Sequence, residues 1–99
     1  MTVPDDKTSP MRSYILRVTG RVQGVGFRYF TVREAEKEGI KGFVRNEPDG
    51  SVYIEAEGDE DALERFILRI RKGPLWGRVD HVSVLDQPPR GYEKFVIRY

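Results

Sequence analysis

The 99-residue chain contains no cysteine. Disulfides, a catalytic thiol and any thiolate metal site are therefore excluded. A single histidine, His81, leaves no cluster of metal ligands, so no metal and no cofactor is expected. Apolar runs are only a few residues long, too short for a transmembrane span, and Met1 to Met11 has no apolar core that could serve as a signal peptide. A cytoplasmic location is expected by default. Amides are scarce as well: Asn46 is the one asparagine, and Gln23 and Gln87 are the two glutamines. Low amide and cysteine content beside abundant charge fits a thermophile, and the surviving amides then invite a functional explanation.

The chain also lacks an excess of either charge. Seventeen basic and sixteen acidic residues leave a net charge of +1, so nothing calls for nucleic acid or an anionic membrane as partner. The charged third of the residues describes a soluble globular protein. Its length suits one core, with two helices covering one sheet face. We expect a flexible tail over residues 1–11 and a single domain over residues 12–99, acting as a monomer.

Hydrophobic periodicity gives the element order. Ser13 to Val22 alternates as a strand, with Tyr14, Leu16 and Val18 on one face. From Phe27 the period becomes helical: Phe27, Phe30, Thr31 and Ala35 share a face, Arg33, Glu34, Glu36 and Lys37 lie elsewhere, and Gly39 ends the helix. Ile40 to Asn46 reads as a short strand, Glu47-Pro48-Asp49-Gly50 as a hairpin turn, and Val52 to Glu57 as the returning strand, with Glu55 and Glu57 facing solvent. Asp59 caps a second helix carrying Leu63, Phe66, Ile67 and Ile70 inward, and Gly73-Pro74 stops it. Trp76 is expected to cover the edge of the core and His81 to lie at the surface. Val79 to Leu85 and Glu93 to Tyr99 complete the strands. The pattern is β-α-β-β-α-β with an additional closing strand. It describes an α+β, ferredoxin-like α/β sandwich with a mainly antiparallel sheet and two helices on one face, each right-handed crossover returning a strand beside its starting neighbour.

The segment Gly20 to Phe30 concentrates the chemistry. It places three glycines between a strand and a helix, then Arg28 in the helix's first turn. A helix N-terminus carries about half a positive charge and free N–H groups, and so disfavours a cation. The arrangement makes sense if a phosphate-like anion is bound there by backbone, helix and arginine together. An isolated G-x-G is most simply a turn, and neither the dinucleotide fingerprint nor a Lys-Ser/Thr phosphate loop is present. Asn46 has a plain reading as the last strand residue before a turn, and a functional one as the amide that orients a small ligand.

Together, Gly20-Arg21-Val22-Gln23-Gly24-Val25-Gly26-Phe27-Arg28 and Gly42-Phe43-Val44-Arg45-Asn46-Glu47-Pro48-Asp49-Gly50-Ser51-Val52 resemble the two signatures of the acylphosphatase family. Glu57-Gly58, Gly73-Pro74, Val79 and the terminal Phe95-Val96-Ile97-Arg98-Tyr99 also fall where that family has similar residues. The resemblance implies that Arg28 binds the phosphoryl group, that Gln23, Gly24, Val25, Gly26 and Phe27 supply backbone N–H donors, and that Asn46 positions the attacking water. It implies an acyl phosphate substrate, with phosphate as product and competitive inhibitor. Glu47 departs from members that carry a small hydroxyl residue there, and so alters the local charge. Related domains also occur at the N-terminus of larger maturation proteins; a chain of one domain favours the free-standing enzyme. The rival reading is a non-catalytic ferredoxin-like module that binds a phosphate-bearing ligand or partner, and turnover distinguishes the two.

Overall fold

In the computed structural model, which describes residues 9–99, the elements are β1 (Met11–Arg21), α1 (Phe27–Glu38), β2 (Lys41–Asn46), β3 (Val52–Asp59), α2 (Glu60–Lys72), β4 (Arg78–Asp86) and β5 (Phe95–Ile97). The expected order is present. β1 begins two residues early, at Met11, and β5 is shorter than Glu93 to Tyr99. The expected tail lies outside the described residues up to residue 8. Beyond that the chain is already anchored: Ser9 Oγ accepts the Asp61 N–H at 2.9 Å and Pro10 O accepts the Glu60 N–H at 2.9 Å. These two bonds satisfy N–H groups that the first turn of α2 leaves open.

The strands form one sheet in the order β4-β1-β3-β2-β5, antiparallel except for the parallel β2–β5 pair. The crossovers do not return strands to adjacent places. Each skips one position: β3 fills the gap between β1 and β2, and β1 fills the gap between β3 and β4. β1 and β2 therefore run in the same direction and end at the same end of the sheet.

Alternation along the strands sends Leu16, Val18, Val44 and Ile54 to the helix-covered face, where they are wholly buried. Phe27 on α1 and Leu63, Phe66 and Ile70 on α2 close over them. Burial of each such side chain contributes about 1.5–3 kcal/mol. Glu34, expected on an outer face of α1, is buried in the groove between the helices, with carboxylate oxygens 3.2 Å from Lys37 Nζ and 3.2 Å from Arg69 Nε. Position 34 lies three residues from the inward Thr31, so the helical period carries it to the α2 side.

Two further expectations are corrected on the opposite face and at the loop end. Glu55 and Glu57 are buried, not solvent-facing. β4 and β5 lie at opposite edges, so the chain from Gln87 to Lys94 crosses the uncovered face and lies over both carboxylates. Trp76 is 75% exposed rather than covering the core. The Gly77 N–H donates to Pro74 O at 3.1 Å, closing a tight turn that presents Leu75 and Trp76 outward, while Val79 and Phe27 fill the space beside Gly73. His81 lies exposed on the edge strand β4, as expected.

Candidate active site

The direction of Arg28 is set by its neighbours on the helix. Phe27 is buried in the core, and Thr31 Oγ1, also buried, donates to Phe27 O at 2.9 Å. With that face pinned inward, the next residue is turned about a quarter of the way round the helix, toward the end of the sheet. Gly24 and Gly26 have φ of 75° and 77°, a left-handed conformation that other residues adopt at a cost of about 1–2 kcal/mol. A Cβ at either position would meet nothing within 4 Å, so the space above this backbone is open to a ligand.

Gly26 is the N-cap of α1. It has no side chain to offer, and the first turn holds no acidic residue. The first N–H in the segment taken up by the helix is that of Phe30, which donates to Gly26 O at 3.0 Å. The helix thus begins with open donors and an uncompensated positive end, and neither Asp nor Glu stands there to neutralise Arg28. Among the described residues Arg28 forms no ion pair; its guanidinium carbon lies 4.9 Å from the centre of the Tyr99 ring.

Asn46 reaches the same place from another element. Val44 is a core residue on the helix-covered face, so Asn46, two residues on, points to that face too, at the last rung of the ladder opposite Val52. A cleft of about 170 Å³ is lined by Val22, Gly24, Gly26, Phe27, Arg28, Tyr29 and Asn46. Asn46 Oδ1 is buried and is the one buried side-chain polar atom without a hydrogen-bond partner among the described residues. An orphaned acceptor of this kind costs about 1–3 kcal/mol unless a ligand or water supplies a proton.

Of the residues singled out in the sequence, Gly24, Gly26, Phe27, Arg28 and Asn46 line the cleft together. Val25 packs partly buried against the core instead. The side chain of Gln23 is turned away, its Nε2 donating to Glu47 O and Ser51 O at 2.8 Å each. Sequence reasoning missed Val22, Tyr29 and Tyr99. The likeness of the terminal residues to the family was the available signal for Tyr99, but nothing marked its contact with Arg28. The carboxylate that Glu47 adds beside Asn46 is engaged by Arg45 Nε at 2.6 Å.

The larger groove offers no competing site. A groove of about 360 Å³ between the helices is lined by charges that already satisfy one another, Glu38 with Arg65 and Glu34 with Lys37 and Arg69. Among the described residues no group of three or more His, Cys, Asp or Glu is disposed to hold a metal ion.

A family model described as acylphosphatase matches residues 14–97. An acylphosphatase of Thermotoga petrophila is 55% identical over 89 residues, covering 90% of this chain and 99% of that protein. One of Archaeoglobus fulgidus is 49% identical over 82 residues, covering 83% of this chain and 92% of that one. The crystal structure of an acylphosphatase from Bacillus subtilis matches with a TM-score of 0.87 at 42% identity, over 91% of this chain and 100% of its own.

Proposed function

The chain belongs to the acylphosphatase family, and from that premise we propose that Arg28 and the N-terminus of α1 hold the phosphoryl group of an acyl phosphate while Asn46 orients the water that attacks it. The enzyme hydrolyses the carboxyl–phosphate bond, giving a carboxylate and inorganic phosphate. The observation that carries the residue assignment is the orphaned Asn46 Oδ1 in the cleft that Arg28 and the glycine backbone also line. A carbonyl oxygen needs a proton donor. A phosphoryl group with its charge fully developed offers only acceptors, whereas a water molecule offers two O–H groups. Arg28 and the open N–H groups suit the anion, and Asn46 suits the water.

The reaction then follows from position. Water oxygen forms a bond to phosphorus opposite the acyl oxygen as the phosphorus–acyl oxygen bond breaks. The bonding pair leaves with the carboxylate, and the protons of water remain on the phosphate. The departing acid has a pKa of about 4, so the step needs no strong general acid and is routed through no metal. The developing charge on the equatorial oxygens is met by fixed donors. Phosphate, as product, competes for the same donors. Action as a monomer is part of this proposal. Residues 12–99 serve as the catalytic domain, and the scarcity of long apolar runs favours a cytoplasmic setting.

We propose no nucleic-acid role for the uncovered sheet face. The rings of Phe43 and Tyr53 are already covered by the guanidinium groups of Arg17, Arg45 and Arg98, and Arg17 and Arg45 are paired with Asp49 and Glu47. No free aromatic platform is left there for bases.

Benzoyl phosphate hydrolysis in the presence of a chelator tests the reading. Arg28→Ala is expected to lower turnover by roughly 10³ to 10⁵, and Asn46→Ala by about 10² to 10³. Full turnover in either variant would sink the assignment of that residue.

A further inference from the structure

Gln23 lies between two residues of the cleft wall, Val22 and Gly24, yet its own side chain leaves the cleft. We infer that Gln23 is a positioning residue: its amide fixes the hairpin that bears Asn46 to the loop that bears the phosphate donors. This rests on the reading of Asn46 as the residue that orients water.

A glutamine amide nitrogen has two protons to donate, and here both are used. Nε2 donates to Glu47 O and to Ser51 O at 2.8 Å each. Those carbonyls stand on either side of the turn, and the Ser51 carbonyl also accepts the Glu47 N–H at 2.9 Å. The amide therefore spans the neck of the hairpin one residue beyond Asn46. Within the turn, Asp49 Oδ1 accepts from Ser51 N and Oγ at 2.9 and 2.6 Å, so the hairpin is internally stiff. A stiff hairpin still needs to be located. Among the described residues the two bonds from Gln23 are the only hydrogen bonds that join residues 22–28 to residues 46–51. Without them, the two halves of the cleft are aligned only by core packing and by the strand between them. With both protons engaged, the amide has none to spare for a phosphoryl oxygen.

The consequence is a separation of kinetic effects. A residue that places the water acts on the chemical step, whereas a phosphate ligand acts on ground-state binding as well. In Gln23→Ala, kcat for benzoyl phosphate is expected to fall about 10- to 100-fold, the scale of a misplacement near 1 Å. KM and the inhibition constant for inorganic phosphate stay within about 2-fold. Gln23→Met keeps the length and volume of the side chain without its donors, and should lose the same kcat. In the double variant with Asn46→Ala, the loss should be no more than about 2-fold beyond Asn46→Ala alone, because the tie acts through Asn46. Unchanged kcat, a phosphate inhibition constant that rises with KM, recovery of kcat in Gln23→Met, or multiplying losses in the double variant would each overturn the inference while leaving Asn46 slow on its own. Full turnover in Asn46→Ala would instead overturn the water-orienting reading, and this inference with it.

Discussion

Arg28 is free to meet an anion because no carboxylate among the described residues holds it. An arginine already paired with Asp or Glu must give up that partner to bind phosphate, and most of the gain is lost in the exchange. The Tyr99 ring instead steers the guanidinium without cancelling its charge. A contact of this kind at an exposed position is worth about 0.5–1 kcal/mol, or about 2- to 5-fold in an equilibrium. Tyr99→Ala is therefore expected to raise KM for benzoyl phosphate by about that factor and leave the melting temperature unchanged, since Tyr99 is 91% exposed. An unaltered KM would show that the ring does not hold Arg28 in the productive place. Glu47 is the converse case. The carboxylate beside Asn46 is drawn off by Arg45, so the added negative charge faces its own counter-ion rather than the substrate.

Among the elements, the segment that joins β4 to β5 depends most on ionisation. Glu57 Oε2 accepts the Ser13 hydroxyl at 3.0 Å and the Arg90 N–H, and its Oε1 accepts the N–H groups of Gly91 and Tyr92 at 3.0 and 3.3 Å. Glu55 accepts the hydroxyls of Tyr53 and Tyr92 and the Gln87 amide. Burial works to raise the Glu57 carboxyl, but the Arg90 N–H, the Ser13 hydroxyl and the N–H groups of Tyr92 and Gly91 outweigh it and hold it below its ordinary value of 4.5. The unfolded chain then takes up this proton at a higher pH than the folded one. The stabilisation is complete above about 4.5 and is lost as pH falls through the folded value. The urea midpoint should drop across that acid range. Glu57→Gln should flatten the drop and cost about 1.5–3 kcal/mol at neutral pH, the scale of hydrogen bonds to a charged group; an unchanged acid slope would exclude Glu57 as its source. At the alkaline end, burial and the bond to Glu55 push the Tyr92 phenol up to about 12 from 10.0, so its contribution persists below 10 and is lost as pH rises through 12.

This crossing segment also marks the limit of what periodicity conveys. Glu55 and Glu57 alternate with core residues as solvent-facing residues do, and alternation cannot distinguish a face left to water from one covered by a distant loop. Gln87 to Tyr92 has no period that states which face it crosses. Helix ends, by contrast, were legible because Gly39 and Gly73 act locally. In the site, Arg28 and the glycines could be read from helix electrostatics, whereas Asn46 read only as a strand end before a turn. What closed the gap between Arg28 and Asn46 was strand register, and the side-chain ties of Gln23 and Tyr99 span too much chain for any local pattern to show them.

At the scale of the whole molecule, the two halves of the cleft hang from strands that never touch. β1 leads into the proposed phosphate-binding loop and β2 ends at Asn46, and β3, paired to both, joins them within the sheet. Timing follows from that arrangement. While the chain folds, neither a completed α1 nor a completed hairpin can hydrolyse substrate; the catalyst appears when the central strand docks between its neighbours. Such non-local pairing is the slow part of folding for a sheet of this kind. On dilution from denaturant, benzoyl phosphate turnover should return with the rate constant of the slowest sheet-forming phase in circular dichroism, with no earlier fraction of activity. Turnover that returned ahead of the sheet would show that the cleft assembles without β3. The return of catalysis is thus expected to serve as a clock for the docking of the central strand.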